Sequence, residues 1–307
     1  MAIDLDQTTV APIAATAAAA ASPRARRQGA TVLARLLATP RAVFSLAVLA
    51  IIVGSALFAG VISPYSPEDL DFDQLMAPIS ATHWLGTDQL GRDTLSRLLH
   101  GSRVALQVSL GGVAHGVAIG VPTGLLSVYL RGWVDDLLMR AMDAVAVFPA
   151  LLVAVALAAT MGASLLTVIL AIGVANVPWI ARVARAQGLS VREQDFVAAA
   201  VAGGMGTWRI ITRHILPHTV APVLVQATLG LGYAVLAEAA LGFIGVGVQA
   251  PTPTWGNMLQ DAFPLLEQRP LLSIVPGMAI FLMVLAFNFL GDALRDVLDP
   301  RLRGVAH

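Results

Sequence analysis

Long runs of apolar residues that contain no charged side chain are the dominant pattern of this chain. Five such runs occupy residues 42–62, 104–130, 144–181, 214–237 and 270–291. A helix needs about 20 apolar residues to cross the hydrocarbon core of a bilayer, so most of these runs provide one crossing each. The third run is long enough for two crossings, because residues 161–164 offer a turn within it. The pattern therefore predicts an all-α membrane protein with six transmembrane helices.

The predicted helices lie within residues 42–291, between an N-terminal tail of residues 1–41 and a C-terminal tail of residues 292–307. In the N-terminal tail, two aspartates precede an alanine-rich stretch and three arginines follow it, which is the reverse of a signal peptide. We therefore expect this tail to be uncleaved, flexible and cytoplasmic. Loops as long as three of the predicted connections usually have a function; these connections cover residues 63–102, 182–217 and 243–270.

Arginine is unevenly distributed between the two sides of the predicted helices. If the N-terminus is cytoplasmic, 15 of the 19 arginines lie on the cytoplasmic side, and the exceptions are Arg92, Arg97, Arg103 and Arg269. Positively charged residues accumulate in cytoplasmic loops. We therefore expect a multi-pass protein of the cytoplasmic (inner) membrane with both termini inside, the 182–217 loop inside, and the other two long loops outside.

Composition supports a membrane location and excludes several kinds of chemistry. The chain is 57% hydrophobic and 12% charged, whereas soluble domains carry about 25% charged residues. It contains neither lysine nor cysteine, so it has no Walker A phosphate-binding loop, no Schiff-base lysine and no thiolate nucleophile. Its six histidines form no H-E-x-x-H pair. We expect no catalytic residues, no metal site and no nucleic-acid partner.

Glycine recurs at every fourth position within the second predicted helix, at Gly112, Gly116, Gly120 and Gly124. This spacing places the four residues on one helix face, where a neighbouring helix can approach the backbone closely. We expect these glycines to pack helices together rather than to contact a solute.

Glu238 lies near the outer end of the fifth predicted helix, which extends past the end of its charge-free run. An ionisable group inside a membrane helix is costly and suggests a function. Two interpretations stay open, since this residue is either a structural hydrogen-bonding group or part of a polar pathway.

The 182–217 loop contains the strongest candidate site. A short helix over residues 196–203 is expected to end at a glycine, as helices often do. An exposed apolar surface is then supplied by Trp208, Ile210, Ile211 and Ile215. Such a surface in a loop needs a cover. With Arg209 and Arg213 beside it, docking to a protein is one interpretation, and an amphipathic stretch lying on the bilayer is the other.

The same loop resembles the EAA loop of ATP-binding-cassette (ABC) importer permeases. That pattern is E-A-A, three residues, G, nine residues and I-x-L-P. Here the triplet falls on Ala198, Ala199 and Ala200, the glycine on Gly204, and the ending on His214, Ile215, Leu216 and Pro217. Two positions depart from the pattern, because Ala198 replaces the glutamate and His214 replaces the first isoleucine.

Other stretches resemble the peptide/nickel branch of these importers, and in particular its second permease subunit of the DppC/OppC type. They are L-G-T-D-Q-L-G-R-D-T at the start of residues 85–103, the fifth-helix exit in residues 238–259, and the C-terminal residues 291–303. The resemblance covers about residues 42–303, and its motifs occur in the order that the family has them.

The resemblance implies a type I ABC importer permease fold and a complex of several chains. Such a subunit pairs with a homologous permease of the DppB/OppB type, contacts cytoplasmic ATPase subunits that bind ATP and Mg²⁺, and receives solute from an extracytoplasmic binding protein. This chain itself would hold no cofactor. ATPase coupling is implied for the EAA positions together with Arg209 and Arg213. An outer-face or pathway role is implied for Asp88, Arg92, Asp93, Trp255 and Glu238.

The resemblance also implies import of dipeptides or oligopeptides, with nickel or another small solute as the alternative. Two other functional classes fit the residues less well. A self-sufficient channel or secondary carrier would move solute without an ATPase, but the sequence shows no series of acids for a proton relay. An intramembrane enzyme would need a nucleophile–base or metal constellation, which scattered histidines without cysteine do not supply.

Overall fold

The computed structural model describes residues 32–298, and this part of the chain is almost entirely helical. Expectations for residues 1–31 and 299–307, which make up most of both predicted tails, lie outside the described residues. The last helix continues to Leu298, so the C-terminal boundary predicted at residue 291 falls inside a helix.

Eleven α-helices follow one another in the described part of the chain. They are α1 (Val32–Leu36), α2 (Pro40–Ile62), α3 (Thr94–Leu130), α4 (Gly132–Val147), α5 (Ala150–Met161), α6 (Leu165–Arg192), α7 (Asp195–Ala202), α8 (Thr207–Ile210), α9 (Leu216–Ile244), α10 (Trp255–Ala262) and α11 (Leu271–Leu298). A π-turn, Ile211–Ile215, joins α8 to α9, and short 3₁₀ turns cover Phe72–Gln74 and Phe263–Leu265. The side chains of Asp93, Ser164 and Thr254 cap the amino ends of α3, α6 and α10 by accepting a backbone N–H of the first turn.

The predicted transmembrane helices correspond to five long apolar helices and one bent pair. The long helices are α2, α3, α6, α8–α9 and α11, and the pair is α4 with α5. The predicted third span was expected to be a single helix beginning near Ala144, but α4 and α5 meet at an angle of 85°. The reason is local, because Pro149 disfavours a helical conformation at Phe148 and both residues lie between the two helices.

Helix α3 is the centre of the bundle, since it packs against α6, α9 and α2. The glycines at every fourth position face α6. A Cβ atom at Gly112, Gly116, Gly120 or Gly124 would lie 2.9 Å or less from an atom of that helix, and at Gly120 the nearest atom is the backbone oxygen of Val177. The two backbones therefore approach as closely as only glycine allows.

The chain runs without a break from Thr207 to Ile244, a helix of 38 residues. Its π-turn precedes Pro217, which has no backbone N–H to donate. Widening of the hydrogen-bond ladder at such a position is a recognised local adjustment of a helix. As a result, the 193–217 segment is joined directly to a long membrane helix.

Candidate functional site

Two polar regions lie at opposite ends of the bundle. The first is the cap, defined as residues 63–97 together with residues 245–270, at the end where α3 begins and α9 ends. The second is the 193–217 segment, at the end where α3 and α6 finish. Nearly all of the residues singled out from the sequence fall in one of these two regions.

A network of four charged side chains holds the two parts of the cap together. The Arg92 guanidinium binds Asp88 at 2.6 Å and Asp261 at 2.8 Å. Arg97 lies 3.6 Å from Asp88 and 3.5 Å from Asp261, and its side chain is only 4% exposed. Gln89 also donates to the backbone oxygen of Asp261. Two positive and two negative groups thus lie together although Arg92 and Asp261 are 169 positions apart in the sequence, and Nη1 of Arg97 has no hydrogen-bond partner among the described residues.

Asp93 has a separate task in the cap. One of its carboxylate oxygens accepts the Ser96 backbone N–H at 2.8 Å and the Ser96 hydroxyl at 2.7 Å, which caps helix α3. The other oxygen lies 2.9 Å from Nδ1 of His83, whose ring stacks on Tyr65. The carboxylate therefore fixes both the start of the helix and the loop before it.

Trp255, the first residue of α10, packs against the first turns of α3. Its indole N–H donates to the Leu98 carbonyl at 3.0 Å, and its ring lies against Gly101. Helix α10 also approaches the backbone of α9 closely, since a Cβ at Gly256 would lie 2.6 Å from the Ala239 oxygen. Glu238 is 1% exposed at this contact, and neither of its carboxylate oxygens has a hydrogen-bond partner among the described residues.

An outer-face or pathway role was implied for four residues of the cap, and none of the four is exposed on the surface of this chain. Asp88, Arg92, Asp93 and Trp255 are each 8% exposed or less, so their side chains contact this chain instead. The sequence reasoning missed Arg97, Asp261 and His83 as their partners. Arg97 carried a signal, because it was one of four arginines on the side predicted to be the outer one, where positive charge is disfavoured.

The 193–217 segment begins with the predicted short helix, which is present as α7 and is capped by Gly203. Gly204 follows with a φ of +75°, in the left-handed region that glycine enters without strain. No atom lies within 4 Å of the position that a Cβ of Gly204 would take. The chain therefore turns sharply here and leaves an open surface above the turn.

Three of the four apolar residues expected on the surface of this segment are buried instead. Ile210, Ile211 and Ile215 are between 1% and 4% exposed, while Trp208 is 70% exposed. The isoleucines pack with Leu125, Val191 and Val197 in one apolar cluster. The prediction was wrong because these side chains face the ends of α3 and α6, which form the cover that the sequence reasoning sought in a partner.

Polar contacts that the sequence reasoning missed also hold the 193–217 segment to the bundle. The Thr207 hydroxyl donates to the hydroxyl of Tyr129 at 2.6 Å. Just before the segment, at the end of α6, the Arg192 guanidinium binds the carbonyl oxygen of Val128 and lies over the Tyr129 ring, 5.4 Å from its centroid. The segment is therefore fixed to the end of α3.

The outward side of the segment carries apolar and charged residues, with the exposed acids Glu193 and Asp195 near its start. Its EAA positions Ala198, Ala199 and Gly204 are exposed, as are Arg209, Arg213 and Pro217. Large apolar side chains add to this surface, namely Phe196, Val201 and Trp208. Small residues beside a protruding tryptophan form a shape that can enter a groove of another protein. Among residues 32–298, no group of three or more His, Asp or Glu side chains could hold a metal ion.

Comparison with known proteins finds relatives for most of the chain. Residues 116–304 match the family described as "Binding-protein-dependent transport system inner membrane component", and residues 28–78 match the "N-terminal TM domain of oligopeptide transport permease C". The chain is 41% identical to a "Dipeptide transport system permease protein DppC" of Alkalihalophilus pseudofirmus, with 85% of this chain and 86% of that protein covered. It is 39% identical to a "Glutathione transport system permease protein GsiD" of Pectobacterium atrosepticum, with 82% and 84% covered.

The fold has a relative among solved structures as well. A chain in inward-facing structures of the MetNI methionine ABC transporter superimposes with a TM-score of 0.56 at 20% identity, over 66% of this chain and 97% of that one. This likeness supports the type I ABC importer permease fold. The chain belongs to the family of binding-protein-dependent transport system inner membrane components, as an ABC importer permease of the peptide, dipeptide and glutathione type.

Proposed function

We propose that this chain imports dipeptides or oligopeptides together with a homologous second permease, and that the 193–217 segment couples it to a separate ATPase. The exposure of Trp208 carries the proposal. A side chain of this size that is 70% exposed, close to isoleucines that fix the segment to the bundle, gives the energetic centre that a protein interface needs. Two of the relatives are named as permeases for dipeptides and for glutathione, which supports a peptide-like solute.

The proposed orientation places the 193–217 segment in the cytoplasm and the cap outside. It rests on the arginine distribution of the sequence, with 15 of 19 arginines on the cytoplasmic side. Both tails, residues 1–41 and 292–307, are then cytoplasmic, and the membrane is the cytoplasmic (inner) membrane. The outer loops, residues 63–102 and 243–270, lie on the side where an extracytoplasmic binding protein delivers solute.

In this proposal the ATPase supplies the energy and this chain converts it into helix movement. ATP and Mg²⁺ bind to the ATPase subunits, because the present chain has no lysine for a Walker A loop. Movement of the ATPase against Trp208 is passed on through Ile210, Ile211 and Ile215, which are packed against α3 and α6. Arg209 and Arg213 strengthen the contact by pairing with acidic side chains of the ATPase.

Gly204→Asp tests the coupling in a reconstituted complex of both permeases, the ATPase and the binding protein. The new side chain strains a φ of +75° and adds a charge to the docking surface, so uptake and solute-stimulated ATP hydrolysis should be lost while membrane insertion is normal. Gly162→Asp is the matched control, since its φ is +83° and no atom lies within 4 Å of its Cβ position, at the opposite end of α6. Normal transport by Gly204→Asp would refute the coupling role.

The solute is tested by competition in the same complex. Uptake of a labelled dipeptide should be reduced by unlabelled di- and tripeptides and not by Ni²⁺. Nickel or another small solute is the alternative within this branch, and competition by Ni²⁺ chelates with no effect of peptides would favour it.

A further inference from the structure

A large cleft lined by both polar and apolar residues opens at the same end of the bundle as the 193–217 segment. Its volume is about 960 Å³, which is the size of a small-molecule pocket. Helix α9 forms its floor, while α6 and the end of α11 form its two walls. Helices α6 and α11 both pack on α9, so the cleft is the space left between them.

The polar side chains of this cleft lie with apolar ones on helical stripes. On α6 and the residues just after it, Val183, Gln187, Ser190 and Gln194 are spaced by three or four positions and share one face. On α9 the matching face carries His218, Gln226 and Leu229, and Arg295 comes from α11. Three glutamines in a chain with such long uncharged runs are therefore gathered on facing surfaces.

The cleft reaches deep into the membrane domain. Gln226 is the tenth residue after the start of α9 at Leu216, which places it about 15 Å along the helix axis. Half of the hydrocarbon core is about 15 Å thick. Amide groups at such a depth are costly against lipid, so this face needs water, a solute or a protein partner beside it.

The chemistry of the lining favours a solute that carries a carboxylate and amides. The named polar groups are three neutral amides, one hydroxyl, one imidazole and one guanidinium, and no acidic side chain lines the cleft within the described part of the chain. Amides donate and accept hydrogen bonds with a peptide backbone, and a guanidinium pairs with a terminal carboxylate. A lining without acids spares such a carboxylate from repulsion.

We propose that the cleft between α6, α9 and α11 is this subunit's share of the inner solute path, with Gln187 and Gln226 as hydrogen-bonding residues for a small peptide and Arg295 as the carboxylate-binding residue near its mouth. The proposal rests on the importer function proposed above and assigns residues to it. It separates these residues from Glu238, which is enclosed near the cap.

The chain offers an unusually direct test, because it contains no cysteine. Gln226→Cys introduces one thiol into the cleft, and Leu224→Cys is the matched control. Leu224 is 49% exposed and lies two residues away, about 200° around the same helix. The complete importer complex in vesicles is treated from either side with a charged, membrane-impermeant thiosulfonate reagent, with and without a transported dipeptide.

The thiol of the Gln226→Cys variant should react at least 10-fold faster than that of the Leu224→Cys variant when the reagent is on the cytoplasmic side, and the dipeptide should slow its reaction several-fold. Equal reaction of the two variants, no reaction of Gln226→Cys, or a short-range cross-link from its thiol to the second permease would overturn the path assignment. Absence of dipeptide uptake by the unmodified complex would instead contradict the importer function, so the two failures are distinguishable.

Arg295→Gln tests the role of the charge. The unmodified complex should prefer a dipeptide acid over the corresponding C-terminal amide, and the substitution should reduce this preference by about 10-fold through an increase in the KM for the acid. Arg140→Gln, at an exposed position on α4, is the control and should leave the preference unchanged. An unchanged preference in Arg295→Gln would refute carboxylate binding at this residue.

Discussion

The cap and the 193–217 segment use similar residues in opposite ways. In the cap, Asp88, Arg92 and Trp255 have partners inside the chain and are buried. In the 193–217 segment, Trp208 and Arg213 point outward. Among the described residues, neither Arg209 nor Arg213 forms an ion pair of the kind that surrounds Arg92. A charged motif with a tryptophan therefore stabilises the chain internally in one region and leaves an exposed surface in the other.

The difference between the two regions arises from how their charges are paired and from how their loops fold onto the rest of the chain. The cap brings two aspartates within 2.8 Å of one arginine because its two loops fold onto each other. In the 193–217 segment, Ile210, Ile211 and Ile215 pack against the ends of α3 and α6, while Phe196, Val201 and Trp208 stay exposed. What remains on the outward side is available for an interface.

Among the variants that test this comparison, Asp93→Ala should produce the largest loss of stability. The substitution removes the cap of α3 and leaves the buried His83 ring without its partner, and we expect a loss of about 3–5 kcal/mol in the free energy of unfolding. Thermal unfolding in detergent, followed by circular dichroism, measures it. Asp69→Ala, at an exposed position in the same loop, should change stability by less than about 0.5 kcal/mol. Similar midpoints for the two variants would contradict an internally stabilised cap.

Trp208→Ala should have the opposite outcome to Asp93→Ala, because it should impair function without a loss of stability. Its indole is 70% exposed in this chain, so the unfolding midpoint should not fall. Loss of a central interface tryptophan costs about 2 kcal/mol or more, and the ATPase should bind about 30-fold more weakly. Copurification and titration of ATP hydrolysis measure this. Trp84→Ala is the control at an exposed tryptophan of the cap; if it weakens ATPase binding equally, the assignment of Trp208 fails.

Gly120→Ala should have a smaller effect, on the seam between α3 and α6 that joins the two regions. The added methyl group meets the Val177 oxygen at 2.8 Å, so we expect a loss of about 1–3 kcal/mol in stability through overpacking. Gly54→Ala, where no atom lies within 4 Å, should be neutral or stabilising because alanine favours the helix. Unfolding midpoints of the two variants decide the matter, and equal stability would mean that the seam can widen at little cost.

The sequence predicted the apolar helices well and the polar contacts poorly, for a physical reason. A run such as residues 42–62 has one low-energy location, so its helix could be predicted from local pattern alone. The burial of Ile210 depended on where α3 and α6 end, and the pairing of Arg92 with Asp261 joins residues 169 apart. Such contacts are set by tertiary packing, which a single sequence without the fold does not reveal. The bend before Pro149 was visible locally but was outweighed by the apolar run around it.

The unbroken helix from Thr207 to Ile244 has a mechanical consequence. Its 38 residues measure about 57 Å from end to end. If it tilts by about 5° around the end near Trp208, its other end travels by about 5 Å, which is roughly the rise of one helical turn. Helix α10 rests on that far end through Gly256. A small tilt of this helix at the end near Trp208 therefore produces a larger displacement of its other end, where α10 packs.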